Sequence, residues 1–463
     1  MRKFVVPHTY VLLFLIVIIM AIGTYIIPAG MFDRYKDEVT GRTLVDPQSF
    51  RYVEQAPVGF LDIFAAIPRG MIEAAEIIFF IFIVGGAFAI VQMTGAIDAG
   101  ISKTVMMFKG NEKLLIPITM FVFSLGGLTF GMSEETIVFV PLGVALATAL
   151  GYDPIVGVAI IAIGSLIGFS GGILNPFTVG VAQSIARLPL FSGIGLRTVG
   201  YTLLLISACY YVMRYAAKVK EDPKISLVYD LIQEEKLLQQ ELNKEAELTT
   251  THRLVLLAVI LFFVYMIYGV MAKGYYIIEL ASMFLAMGVI SGLIGRLTPS
   301  DIARAFVEGA QGIVFGALVV GVARAILVVM TDGQIVDSII YYLASHISIL
   351  PGALCAVGMF WVHTIINFFI PSGSGQAMAT MPIMIPIADL VGVTRQTAIL
   401  AFQYGDGFTN RFYPTSGTLM AMLGMAKIPY ERWFKFIWPL MVIWFAIGTI
   451  MMVMAHVINY GPF

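Results

Sequence analysis

Apolar runs long enough to cross a membrane alternate with short polar interruptions along almost the whole chain. Tyr10–Pro28 is the first, followed by a polar stretch, Asp33–Gln55. A second helix ends near Met93, with Glu73 and Glu76 near one of its ends. Ile97–Met107 is amphipathic, with Asp98 and Lys103 on its polar side, and suits the membrane interface. Two shorter arms, Leu114–Phe130 and Ile137–Leu150, are joined by Gly131-Met132-Ser133-Glu134-Glu135-Thr136. Ile155–Ile185 reads as a helix broken at Ser170-Gly171-Gly172-Ile173-Leu174-Asn175-Pro176, and Gly195–Tyr215 as a continuous one. Ala217–Thr250 is the most charged stretch, and its run Leu231–Leu248 reads as a solvated helical linker. Leu254–Val270, Ile277–Ile294 and Gly312–Met330 resume the apolar pattern, followed by an amphipathic piece, Ile335–Ser345. A second pair of arms, Leu354–Ile370 and Met378–Val391, flanks Pro371-Ser372-Gly373-Ser374-Gly375-Gln376. A second broken helix, Arg395–Ala426, is interrupted between Gly405 and Pro414, and Trp433–Ile458 is the last helix.

The two halves superpose by numbering. Glu135 and Gln376, Pro141 and Pro382, and Gly151 and Gly392 are each 241 positions apart. The breaks at Asn175-Pro176 and Tyr413-Pro414 match with a gap of three residues. Polar, irregular backbone at membrane depth is tolerated only where it is buried in protein or lines a cavity. Finding it twice in matching places predicts a secondary transporter with an internal repeat.

Composition sharpens the class. Of 463 residues 59% are hydrophobic and 12% charged, against about a quarter charged in soluble domains, so the chain is a polytopic membrane protein. A net charge of −1 gives no basic footprint for nucleic acid. Cys209 and Cys355 form no disulfide framework or metal-spaced cluster, and no cofactor or metal is expected. No Walker motif, dinucleotide fingerprint or nucleophile elbow is present, so the pattern points away from an ATP-driven pump or an enzyme. The apolar run after Met1-Arg2-Lys3 is too long for a signal-peptide core and is expected to be a retained helix.

Lys and Arg set the orientation. Arg2, Lys3, Lys109, Lys113, the linker lysines from Lys218 to Lys244, Arg296, Arg304, Lys427, Arg432 and Lys435 fall on one face, the cytoplasmic one, if each pair of arms is a re-entrant hairpin. The first hairpin then opens to the cytoplasm and the second to the outside, and the N-terminus is cytoplasmic. Arg34, Lys36, Arg42 and Arg51 lie outside among acids, a mild strain on the assignment.

Helix ends at the tips offer unpaired N–H groups and a positive dipole end, which suits a carboxylate. Ser133, Thr136, Ser372, Ser374 and Gln376 add hydroxyl or amide groups. Asn175 and Asn410 mark the breaks, whose free carbonyls suit cations. Glu134, Glu135 and Asp406 are carboxylates at membrane depth, where a charge is a functional hypothesis by default. Three acids favour a cationic substrate, a coupling ion or a proton relay over a site built only for a dianion. Arg411 either holds a substrate carboxylate or neutralises Asp406. Arg324 needs a partner, with Glu308 and Glu279 as candidates; His363 reads as a packing histidine and Asp389 as solvated.

Ser124-Leu-Gly-Gly-Leu-Thr-Phe-Gly-Met-Ser-Glu-Glu-Thr136, Pro371-Ser-Gly-Ser-Gly-Gln-Ala377 and Phe402-Gln-Tyr-Gly-Asp-Gly-Phe408 with Tyr413-Pro-Thr-Ser416 resemble one family. It is the bacterial basic amino-acid antiporter family (arginine/ornithine type), related to the anaerobic four-carbon dicarboxylate carriers and similar to the ion transporter superfamily. The resemblance implies an all-α inner-membrane homodimer with a scaffold and a transport domain, working as an elevator. Its expected divisions are scaffold 1–112, first transport repeat 113–188, scaffold 189–349 with the linker 217–250, second transport repeat 350–427, and a last scaffold helix 428–463. It also implies exchange of arginine, ornithine or lysine, with H+ or Na+ as a coupling ion; the alternative is a Na+- or H+-coupled carrier of four-carbon dicarboxylates. Superfamily tips carry Ser-Asn-Thr, whereas these read Ser133-Glu134-Glu135-Thr136 and Ser372-Gly373-Ser374, which favours a cationic or zwitterionic substrate.

Overall fold

The computed structural model describes residues 9–37, 43–107, 111–232, 248–273, 275 and 277–461. The basic start and most of the run 231–248 lie outside the described residues. The first half contains α1 (Thr9–Ile26), α2 (Phe60–Glu73), α3 (Ala75–Met93), α4 (Ala96–Met107), α5 (Leu115–Phe130), α6 (Val140–Ala149), α7 (Pro154–Gly171), α8 (Val179–Ala186) and α9 (Ile194–Glu221). The second contains α10 (Thr250–Lys273), α11 (Ile277–Ile294), α12 (Pro299–Gly312), α13 (Val314–Asp332), α14 (Val336–Ile347), α15 (Gly352–Phe369), α16 (Gly373–Leu390), α17 (Arg395–Thr409), α18 (Gly417–Met425) and α19 (Tyr430–Val457). Among the described residues, nine helices are long and apolar enough to cross a membrane.

The repeat extends beyond the tips and breaks. Asp153 caps α7 by accepting from Val156 N, and Thr394, 241 positions later, caps α17 by accepting from Thr397 N. Gly151 and Gly392, two residues before these caps, both have left-handed backbone, at φ 83° and 73°. In order, α1–α9 match α10 and α12–α19. The cross-packing of α2 on α13 and of α12 on α3 is the relation a pseudo-two-fold axis produces. α11 has no helical counterpart; the corresponding stretch of the first half holds two short antiparallel ladders, β1 (Gly30–Met31) with β4 (Arg51–Tyr52), and β2 (Arg34–Lys36) with β3 (Thr43–Val45).

Lipid tails are as apolar as leucine, so membrane helices associate through close backbone approach at small residues. A Cβ on Gly164 would lie 3.0 Å from Met120 Cα, and one on Gly405, its repeat partner, 2.5 Å from His363 Cβ and 2.8 Å from Phe360 O. These contacts lay α5 parallel to α7 and α15 parallel to α17. The returning arms α6 and α16 run back along the same helices to tight turns at Gly151 and Gly392. α9 packs on α5 and α7, and α19 on α15 and α17. α1, α2, α3, α10, α11, α12 and α13 form a second packing group.

Three sequence expectations are corrected. The second helix is two helices, α2 and α3, meeting at Ala74, so Glu73 sits at an internal junction. Residues 299–312 add a helix that the polar pattern concealed. The first returning arm starts as a 3-10 turn, Glu134–Phe139, before becoming α-helical, whereas the second is α-helical from Gly373 onward. Asp389, expected to be solvated, is 44% exposed and pairs there with Arg395 at 2.7 Å.

The segment before α2 is pinned by Asp337, which accepts from Phe32 N at 3.0 Å and from Arg34 at 2.9 and 3.0 Å. Asp337→Ala leaves the buried Phe32 N–H without its acceptor, a cost of about 1–3 kcal/mol. The expected outcome is faster limited proteolysis within 30–52, with helical circular dichroism unchanged. Equal cleavage rates in wild type and variant would count against this clamp.

Candidate functional site

The first tip exists because Gly131 ends α5 in a left-handed conformation, at φ 68°. A side chain there would collide with Asn175, whose Oδ1 lies 2.6 Å from the Cβ position, so glycine is required twice over. The tip therefore lies directly on the first break. Asn175 Oδ1 accepts from Phe177 N at 3.0 Å and Thr178 N at 3.3 Å and so satisfies the interrupted backbone, while its buried Nδ2 has no partner. At the second tip Ser372 caps α16, its Oγ accepting from Gly375 N at 3.3 Å. A Cβ at Gly373 would lie 3.4 Å from Asp406 Oδ2 and would collide with Thr178 Cγ2. The second tip thus touches both breaks.

Residues 405–407 do not break the helix. α17 continues through Gly405-Asp406-Gly407 to Thr409, and the irregular segment is 410–416. The glycines serve close packing: Gly405 against α15, and Gly407 against Ser170, whose Oγ would be 2.6 Å from an added Cβ. Asp406 is fully buried in the last turns of α17. Its Oδ2 accepts from Asn410 Nδ2 at 3.4 Å, and Oδ1 has no partner.

Arg411 is almost fully buried and makes no ion pair with Asp406 among the described residues. Its NH2 donates to Ser133 O and Oγ, both at 3.2 Å, and its NH1 to Asn410 O at 3.2 Å. Arg411 therefore ties the second break to the first tip. Thr136 Oγ1 donates to Ser133 O and tightens the same tip. The adjacent glutamates part. Glu135 folds back to accept from Ser133 N at 3.0 Å and borders an apolar cavity between α5 and α11. Glu134 enters a second cavity, of about 170 Å³, with Ser372 and Thr415. It is also the charged neighbour common to Asp406 and Arg411.

Gln376 points away from this cavity. Its Nε2 donates to His363 O at 2.9 Å and lies 3.3 Å from His363 Nδ1, while its Oε1 has no partner. Ser374 lies in the first turn of α16, partly exposed. Several carbonyls at and near the breaks, expected to be free, are engaged. Asn367 Nδ2 reaches Asp406 O at 2.9 Å, Trp433 Nε1 donates to Arg411 O at 2.9 Å, and Tyr430 OH donates to Phe412 O at 2.8 Å. Arg197, fully buried, donates to Gly172 O at 3.1 Å.

Sequence reading missed Asn367, Thr178, Thr415, Arg197 and Glu73. An asparagine in the apolar run Ile366-Asn367-Phe368 was a visible signal. Glu73 was visible as an acid near a helix end, but not as a partner of Arg324. Neither expected partner of Arg324, Glu308 or Glu279, is correct: Arg324 Nε donates to Glu73 Oε2 at 2.9 Å, because α2 packs on α13.

The DcuC family, described as "C4-dicarboxylate anaerobic carrier", matches residues 6–457. A protein of Escherichia coli (strain K12), named "Putative basic amino acid antiporter YfcC", is 36% identical over 99% of this chain and 98% of its own length. An uncharacterised protein of Haemophilus influenzae is 33% identical over 90% of this chain and 83% of its own. Among solved structures, the Alcanivorax borkumensis YdaH transporter is similar at a TM-score of 0.40 and 15% identity, covering 98% of this chain and 100% of that one. The family's description and the name of the Escherichia coli relative are those of transporters rather than enzymes. With its multi-pass architecture and a match along nearly its whole length, the chain belongs to the DcuC family of membrane transporters.

Proposed function

We propose that the chain exchanges basic amino acids (arginine, ornithine or lysine) across the bacterial inner membrane by an elevator movement. One observation carries the substrate reading: Glu134 and Asp406 lie around the two tips while Arg411 is engaged with Ser133 and Asn410. A dianion would bring two negative charges to a cavity that already holds two acids, Glu73 and Glu134, against one cation, Arg324, whereas a cationic side chain is matched at Glu134. The name of the Escherichia coli relative supports the same reading.

The tips and breaks form two re-entrant hairpins and two broken helices, inverted in the membrane, with the N-terminus cytoplasmic. The moving unit comprises 113–188 and 350–427. We add α9 and α19 to it because they pack on its hairpin arms and broken helices. The remaining scaffold helices carry the homodimer contact, and H+ or Na+ couples the cycle. Candidate ligand residues are Ser133, Glu134, Glu135, Thr136, Asn175, Ser372, Ser374, Gln376, Asp406, Asn410 and Arg411. The geometry favours Glu134, Ser372 and Asp406 for contact with the substrate. Arg411, Glu135, Asn410 and Asn175 hold the tips and breaks in place.

The second reading is a Na+- or H+-coupled carrier of four-carbon dicarboxylates, which the family's description favours. Counterflow in proteoliposomes separates the two. Labelled arginine is expected to be taken up against internal arginine, inhibited by ornithine and untouched by fumarate or succinate. Citrulline, which lacks the side-chain charge, is expected to compete poorly. Inhibition by fumarate with none by ornithine would overturn the amino-acid reading.

A further inference from the structure

We infer that Arg324 is a carboxylate-recognition residue on the wall facing the hairpin tips, held by Glu73 until a substrate carboxylate replaces it. The inference rests on the reading of the tip cavity as the substrate's passage, not on the choice between amino acid and dicarboxylate.

Arg324 lies in α13, in a stretch where every neighbour from Ala317 to Met330 is apolar or glycine. A charge at this depth is costly and needs a compensating role. Its pairing is thin: Nε alone donates to Glu73 Oε2, at 2.9 Å. Among the described residues the two terminal nitrogens have no hydrogen-bond partner. The planar guanidinium thus keeps the pair of donors that best matches a carboxylate. Both side chains are 41% exposed, and both line the 170 Å³ cavity that also holds Glu134, Ser372 and Thr415. The lining thus holds one cation, Arg324, and, once Glu73 is displaced, one further acid, Glu134, together with the hydroxyls of Ser372, Thr415 and Thr418. That arrangement suits a molecule with a carboxylate at one end and a cation at the other.

The pair is not a structural device of the repeat. The positions 241 residues away are Ile83 for Arg324 and Val314 for Glu73, so the other half folds without it. α2 and α13 meet through small residues, Gly70 against Gly321 and Ala325, which supplies the packing without the charges. Glu73 then acts as a placeholder. A substrate carboxylate displaces it from Arg324, and its return favours release.

The test measures ligand binding to purified wild type, Arg324→Ala, Arg324→Lys and Glu73→Gln, with thermal stability recorded for each. Arginine and agmatine, its decarboxylated analogue, are the probes. Arg324→Ala is expected to weaken arginine at least tenfold and agmatine less than twofold, and Arg324→Lys to recover part of the loss. Glu73→Gln is expected to tighten arginine several-fold by removing the competing carboxylate. A purely structural ion pair predicts the opposite pattern: Arg324→Ala and Glu73→Gln shift affinity in the same direction, for both probes and together with stability. That result overturns the inference. If wild type binds fumarate in place of arginine, the amino-acid reading fails, and the same variants are measured with fumarate. Opposite shifts then uphold Arg324, and shifts in one direction refute it.

Discussion

Asp406→Asn and Glu134→Gln are each expected to weaken arginine binding about tenfold to a thousandfold. The side-chain volume is unchanged in both, so the fold is retained and only the charge is lost. Removing one partner of a charge-assisted hydrogen bond costs about 1.5–3 kcal/mol, and leaving the ligand's cation unpaired adds to it. At 1.4 kcal/mol per decade, the affinity loss is about tenfold to a thousandfold. Asp406 is the stronger case because it is fully buried and one carboxylate oxygen has no partner within the protein. Glu135→Gln is expected to have a smaller effect, since its carboxylate already accepts from Ser133 N at 3.0 Å and an amide oxygen can accept there too. Isothermal titration with arginine on the purified variants provides the check. Wild-type affinity in both Asp406→Asn and Glu134→Gln would remove the carboxylates from the ligand set.

The sequence carried much of this site because its signals are local. A polar tip flanked by glycine in an apolar run can be read in one window, and its repetition 241 positions later can be read by alignment of the chain with itself. The caps Asp153 and Thr394 follow that offset. Where composition misled, glycine had two meanings. Gly405-Asp406-Gly407 looks like a break, yet α17 runs through it, because the absent side chains let α15 and Ser170 approach. Glycine costs a helix about 1 kcal/mol, which close packing of this kind offsets. Partnership was the other failure. Arg324 and Glu73 are 251 residues apart, and their meeting follows from α2 packing on α13 across the repeat, which no local pattern encodes. The short strands between Gly30 and Tyr52 were hidden for a related reason: they are two or three residues long and depend on Asp337 for anchorage.

Covalent closure of the contact between α13 and α18 is expected to stop transport while leaving binding intact. α18 follows the second break and belongs to the proposed moving unit, whereas α13 belongs to the opposite packing group. Gly417 and Val320 meet at this contact, and a Cβ on Gly417 would lie 3.4 Å from Val320 Cβ. Disulfides span Cβ separations of about 3.5–4.5 Å, so Gly417→Cys with Val320→Cys can close with little adjustment. The native thiols, Cys209 and Cys355, are first replaced by serine and alanine so that only the new pair reacts. The pseudo-two-fold relation adds an asymmetry to the argument. α18 packs on α13, but its counterpart α8 makes no comparable contact with α3. Phe79, the repeat partner of Val320, is instead 64% exposed. In the proposed elevator the two repeats exchange these roles, so the other arrangement is expected to have α8 against α3 and α18 released from α13. Oxidation should therefore reduce exchange in proteoliposomes at least about a hundredfold, the residue being the uncross-linked fraction, and reduction should restore it. Titration of the oxidised protein should still detect arginine, because the disulfide forms in the wall of the tip cavity, which Val320 and Gly417 line, and leaves Glu134 and Asp406 unaltered. Full exchange by quantitatively cross-linked protein would mean that α13 and α18 never separate, and the elevator reading would fall with it.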